Sequence, residues 1–193
     1  MIHHLTAQYD KRPGYRVAYY YFDFNDPRKQ TLTGYLKSLV QQLCAQSDSV
    51  PEPLLLLYEE CKGSDPSSAQ LTEALTSMLS SSSRDFIVID ALDECKEEDG
   101  EREREAFFEA LANVKTSATG SYCIFITSRP ELDIRREMAI LGDMVLEVSG
   151  TLVNEDIRSH VKAYLAKDAR MKKWPANVKE EVIDALTDKA NGM

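Results

Sequence analysis

No apolar run in the sequence approaches the ~18 residues of a membrane span. The N-terminus MIHHLTAQYDKR also lacks the apolar stretch and cleavage site of a secretory leader. A cytoplasmic protein with no membrane partner is therefore expected. Basic charge is in deficit, with 23 Lys and Arg against 32 Asp and Glu and a net charge of -9. Phosphate contacts need a basic face, so this balance argues against a general nucleic-acid binder. The four cysteines, Cys44, Cys61, Cys95 and Cys123, form no CxxC pair. Thiols so widely spread belong to a reduced protein rather than to a disulfide framework or a zinc site. Glycine is scarce as well. The eight glycines contain no pair at GxxxxG spacing and none precedes a lysine, so no glycine-rich phosphate cradle is encoded.

What is present is enough apolar residue, 43% of 193, to bury one sizeable core. Four short apolar runs predict buried parallel strands: VAYYYF (Val17 to Phe22), FIVI (Phe86 to Ile89), YCIFI (Tyr122 to Ile126) and MVLEV (Met144 to Val148). They do not alternate, so both faces of their sheet should be covered. Between them, Leu32, Tyr35, Leu36, Leu39, Val40 and Leu43 fall at helical spacing. So do Leu71, Ala74, Leu75, Met78 and Leu79, and then Phe107, Ala110, Leu111 and Val114. Strand alternating with helix is the pattern of an α/β layered domain. After Gly150 the pattern is helical only. One apolar stripe runs through Ile157, Val161, Tyr164 and Leu165, and a second through Val178, Val182, Ala185 and Leu186, with a break at Trp174-Pro175. A second, helical module is expected there.

The chemistry gathers in two stretches. In FIVIDALDEC, Asp90 ends a buried strand and Asp93 and Glu94 follow. Open α/β sheets bind ligands at the carboxyl ends of their strands. A carboxylate there can hold the water shell of a Mg2+ that bridges nucleotide phosphates, with a following acid orienting the attacking water. The plainer alternative is that Asp90 and Asp93 only cap a turn. The second stretch, ITSRPELD, places Thr127, Ser128 and Arg129 at the tip of the next strand. Its plain reading is a helix start, with Ser128 as N-cap and Pro130 in the first helical position. Hydroxyls and a guanidinium at that tip can also meet a γ-phosphate. The run Glu94 to Glu109, with eight acids and three bases, is expected to be a solvated loop leading into an exposed helix face.

The stretches VAYYYFDFNDPRKQT, FIVIDALDEC, FITSRPE, DIRSHVKAYL and KANGM, in this order, resemble the NACHT-type NTPase domain of the STAND class. Within it they are most similar to the nephrocystin-3-like N-terminal domains of large fungal NLR-like or ankyrin-repeat proteins. DALDE resembles the family's modified Walker B, and TSRP resembles its sensor-1 motif. The resemblance implies a three-layer α/β, P-loop NTPase-like parallel sheet over residues 1–150, followed by the beginning of a helical domain over 151–193. It implies Mg2+ and ATP or ADP as cofactors. It assigns the metal to Asp90, catalytic roles to Asp93 and Glu94, and nucleotide contacts to Thr127, Ser128 and Arg129. Its implied partners are covalently attached effector and repeat domains, with a homo-oligomer forming on activation.

The same resemblance implies a phosphate loop and a central strand that this sequence does not contain. MIHHLTAQYDKRPGYRV aligns with the later part of the helix after that loop, so the chain is expected to be a fragment that begins late and is cut again at Asn191-Gly192-Met193. A flaw in the sheet is then expected beside Tyr122 to Ile126. Nucleotide binding should be weak or absent and hydrolysis lacking. Two rival functions stay open at this level: a regulatory or scaffold module that keeps the fold without a ligand, and a carboxylate-cluster Mg2+ phosphatase or nuclease that would recruit Asp23. A Ser128–His160 hydrolase is more remote, since no GxSxG elbow exists. His3 and His4 have no partner cluster that would make them metal ligands.

Overall fold

The computed structural model describes residues 2–9, 12–81, 84–95, 103–146 and 150–190. They fall into two compact units, Met1–Asp143 and Met144–Met193. The first contains helix α1 (Ile2–Tyr9), strand β1 (Tyr15–Tyr21) and helices α2 (Leu32–Ala45), α3 (Glu52–Cys61) and α4 (Ser68–Ser80). Strand β2 (Arg84–Asp90), helix α5 (Glu103–Ser117), strand β3 (Tyr122–Ile126) and helix α6 (Leu132–Leu141) complete it. The fold is α/β: a three-stranded parallel sheet, order β1-β2-β3, flanked by helices.

Strand alternation sorts the sheet into two unlike faces. Ala18 and Tyr20 of β1, Ile87 and Ile89 of β2, and Ile124 and Ile126 of β3 lie on the face that packs into the core. Above them sit the apolar stripes of α2 and α4, where Leu36, Leu39, Leu43, Leu75, Met78 and Leu79 are fully buried. An aromatic group of Tyr20, Phe22, Tyr35 and Phe107 fills the space toward α5. On the other face α1 stacks Tyr9 against Tyr15 and Phe86. Farther along that face Tyr19, Tyr21 and Phe125 are exposed, so among the described residues it is covered only at one end and the expectation of two covered faces is met on one.

The helix starts follow local chemistry. Thr31 accepts a hydrogen bond from Gly34 N at the start of α2, and Ser67 forms a reciprocal capping box with Gln70 at the start of α4. The outer edge of β1 is closed by side chains of α2. Gln46 both accepts from Val17 N at 2.9 Å and donates to Val17 O at 2.9 Å, and Gln42 does the same for Tyr19 at 3.1 and 2.8 Å. Two amides thus imitate a neighbouring strand and satisfy an edge that would otherwise be open.

Two expectations need correction. Met144–Leu146 form no strand and are exposed, while residues 147 and 148 lie outside the described residues, so among those described β3 pairs with β2 alone. Helix α6 begins at Leu132, with Glu131 rather than Ser128 at the N-cap and no side-chain capping bond. Ser128 is drawn away because its hydroxyl binds within the preceding turn, reaching Arg129 O at 2.8 Å.

The second unit contains helices α7 (Gly150–Lys167) and α8 (Ala176–Ala190), with the break at Trp174-Pro175 between them. Leu165, Ile183 and Thr187 are its buried contacts, and Arg158 of α7 pairs with Glu180 and Asp184 of α8. Among the described residues no helix is long and apolar enough to cross a membrane.

Candidate functional site

Parallel neighbours end together. Ile89 of β2 stands beside Ile126 of β3, so Asp90 and Thr127 emerge side by side at the carboxyl edge of the sheet. Thr127 stitches the two strand ends. Its N–H donates to Ile89 O at 2.9 Å, its hydroxyl donates to Asp90 Oδ1, and its carbonyl accepts from Leu92 N at 3.0 Å. Between Asp90 and Leu92 the backbone turns through Ala91 in the left-handed region, at φ 57 and ψ 50. A non-glycine residue there costs about 1–3 kcal/mol and persists only where its surroundings impose it. Here Leu92, fully buried, anchors a 3-10 turn over Leu92–Glu94, and Ala91 N is bound by Thr127 Oγ1 at 3.2 Å.

That turn sends its two acids in different directions. The Asp93 carboxylate, 7% exposed, accepts from Arg129 N at 2.9 Å and lies 3.4 Å from Arg129 Nε and 3.3 Å from Ser128 Oγ. Glu94 Oε2 instead accepts from Phe24 N at 3.0 Å, which ties in the loop after β1. The guanidinium of Arg129 is 65% exposed and stands on the same rim as Asp90. Thus Asp90, Asp93, Thr127, Ser128 and Arg129 are brought together, with Glu94 directed at the β1 loop. Among the described residues no three His, Cys, Asp or Glu side chains are grouped so that they could hold a metal ion. Asp23 is occupied locally, accepting from Asn25 N at 2.9 Å. His3 and His4 are exposed on α1, and His160 belongs to the other unit than Ser128.

Sequence reasoning missed one residue that supports this rim. Arg104, in the acid-rich run expected to be solvated, is buried at 4% exposure. Its Nη1 donates to Glu131 Oε2 at 2.6 Å and Asp133 Oδ2 at 2.8 Å, and its Nη2 donates to Asp93 O at 2.9 Å and Cys95 O at 3.3 Å. Burial lowers the Arg104 pKa, but the bonds to Asp133 and Glu131 outweigh it and hold it above the ordinary guanidinium value. Burial likewise pushes the Asp133 carboxyl up, and the Arg104 bond and charge bring it below the usual carboxylate range. A signal was available: Arg104 stands in helical register with the buried Phe107 and Phe108. Next to it, Glu103 Oε2 accepts from Leu32 N at 2.6 Å and so caps the start of α2.

Residues 1–129 match the family described as nephrocystin 3, N-terminal. The chain belongs to this family. The matched span of this nephrocystin 3 N-terminal domain runs through all three strands and ends at Arg129, so it contains every residue singled out at the rim. The family is associated with NACHT-type NTPase proteins. No curated protein matches the chain.

Proposed function

We propose that this nephrocystin 3 N-terminal domain carries the metal-facing half of a nucleotide-switched signalling site, with Mg2+ and ATP or ADP as its ligands. The observation that carries the reading is the shared rim: Asp90 at the end of β2 is bonded to Thr127 at the end of β3, and Asp93 of the following turn meets the exposed Arg129 guanidinium. The donor set fits Mg2+. That ion takes oxygen ligands, commonly one or two carboxylates completed by water and substrate phosphates rather than an all-protein cage. Asp90 would hold it, and the ion would supply charge neutralisation between phosphate oxygens. Thr127 orients the Asp90 carboxylate through its hydroxyl. Arg129 offers a cation to a phosphate once it leaves Asp93. Asp93 and Glu94 are the acids placed to orient water, and both now bind backbone of neighbouring loops, so their release would accompany ligand entry. In a switch of this kind, ADP favours the closed state and ATP the open one, and effector and repeat domains read the difference.

The 193 residues encode no glycine-rich phosphate loop, and positioning plus charge stabilisation are nearly the whole of phosphoryl-transfer catalysis. This chain is therefore expected to bind Mg-ATP only weakly and not to hydrolyse it. Calorimetry with Mg-ATP and Mg-ADP tests this. Weak, Mg2+-dependent heat lost in Asp90→Ala is the expected result. Heat unchanged by Asp90→Ala would sink the metal assignment, and micromolar affinity would mean that other residues hold the phosphates. A second reading, a regulatory module without ligand, draws on the internal partners of Asp90, Asp93 and Glu94. It expects no heat with either nucleotide.

A further inference from the structure

Arg104 lies where a cation is least expected. It occupies the first turn of α5, the helix end whose dipole favours negative charge, and it is buried. Neither the helix dipole nor solvation favours a cation there, so its contacts must. Those contacts have two sides. On one are the carbonyl oxygens of Asp93 and Cys95, which belong to the turn after β2. On the other are the carboxylates of Glu131 and Asp133, which belong to the segment that follows Thr127–Arg129. A guanidinium is a planar fork of five donors, and it can face both sides at once.

We propose that Arg104 is the positioning residue of this rim, a clasp that holds the turn bearing Asp93 and the segment bearing Thr127 to Arg129 as one rigid piece against α5. Holding Asp93 by its carbonyl fixes where its carboxylate meets Arg129 N and Ser128 Oγ. Holding Glu131 and Asp133 fixes the other end of the same loop. The clasp does for the rim what hydrogen-bonded outer partners do for ligating side chains, whose removal typically weakens metal binding by about 10–100-fold. The geometry of the clasp stands by itself, and only its effect on metal affinity rests on the Mg-nucleotide reading above.

The test uses the full chain as wild type, Arg104→Met, Arg104→Lys and Asp90→Asn, with amide hydrogen exchange and a Mn2+ titration followed by electron paramagnetic resonance. The expected signature of Arg104→Met is exchange at the Leu92 and Arg129 amides faster by about tenfold or more, with the amides of β1 and α4 unchanged. Mn2+ affinity should fall about tenfold. Arg104→Lys keeps the charge but concentrates its donors on one nitrogen, so it should show the same signature. If Arg104→Met does not fold, Arg104→Lys carries the comparison. Wild-type exchange in Arg104→Lys would overturn the clasp, because simple charge balance would then suffice. Exchange rising equally across β1 and α4 would also overturn it, as general destabilisation. Should Asp90→Asn leave Mn2+ binding unchanged, the metal reading fails and the exchange pattern alone decides the clasp.

Discussion

Replacing Arg16 by methionine tests how much of this sheet is held by one buried ion pair. Arg16 of β1 and Asp85 of β2 are register partners at the amino ends of their strands. Arg16 Nε reaches Asp85 Oδ1 at 2.8 Å and Nη2 reaches Oδ2 at 2.8 Å, a bidentate pair with 11% and 0% of the two side chains exposed. The same guanidinium donates to Met78 O at 3.0 Å and Ser47 Oγ at 3.1 Å, and so joins both strands to the ends of α4 and α2. Methionine fills much of the volume but removes the bidentate guanidinium from a fully buried carboxylate. Breaking such a pair from one side costs about 3–5 kcal/mol, out of the roughly 5–15 kcal/mol that a domain has. At about 2–4 °C per kcal/mol, Tm should fall by about 6–20 °C. The one tryptophan, Trp174, lies in the other unit, so urea and thermal transitions are best followed by near-ultraviolet circular dichroism, to which the core tyrosines contribute. Arg16→Met combined with Asp85→Leu should be more stable than Arg16→Met alone, because replacing a whole buried pair by apolar groups is often neutral. A loss under about 1 kcal/mol in Arg16→Met, the value of an exposed pair, would refute the reasoning.

Gly120→Ala should cost about 1–3 kcal/mol in urea unfolding, because a Cβ at that position would stand 1.9 Å from Leu79 O and the end of α4 must shift to admit it. The Asp133 carboxyl, held by Arg104 below its ordinary 3.8, contributes stability that is present above that value and lost as pH falls through the depressed one. Wild type should therefore lose more urea stability than Asp133→Asn as pH drops from about 5 to 2.5, and parallel curves would contradict the pairing. The Tyr20 hydroxyl is pushed from 10.0 to about 12 by burial, with smaller contributions from Cys95 and Asp26, and burial raises Tyr35 further. Their stabilising effect is complete below about pH 10 and fades as pH rises, so an alkaline absorbance titration should find both unionised until the domain unfolds.

The strands and the rim were legible because their signals are local. Apolar runs of four to six residues followed by aspartate or threonine need no partner to be recognised, and parallel strands in one sheet bring their ends to one edge. Arg104 escaped because charge counted along Glu94 to Glu109 hides a buried cation whose acceptors include the turn after β2 and the start of α6. Asp85 escaped for the same reason, since its cation is 69 residues away. Met144 to Val148 misled because an apolar run predicts a strand only where an edge receives it, and its described residues form none.

Composition and periodicity by themselves determined that this chain folds as α/β with a parallel sheet and that helices alone follow Gly150, and a parallel sheet in turn sends Asp90, Asp93, Glu94 and Arg129 to one edge. They do so because burial is encoded residue by residue, and helices lying between buried strands imply parallel pairing. What each acid does was decided by the tertiary structure. Asp90 takes the Thr127 hydroxyl, Asp93 the Ser128–Arg129 turn and Glu94 the backbone of Phe24. These partners come from loops 35 to 70 residues apart in sequence, and only their packing at one edge chooses which hydrogen bonds each carboxylate makes.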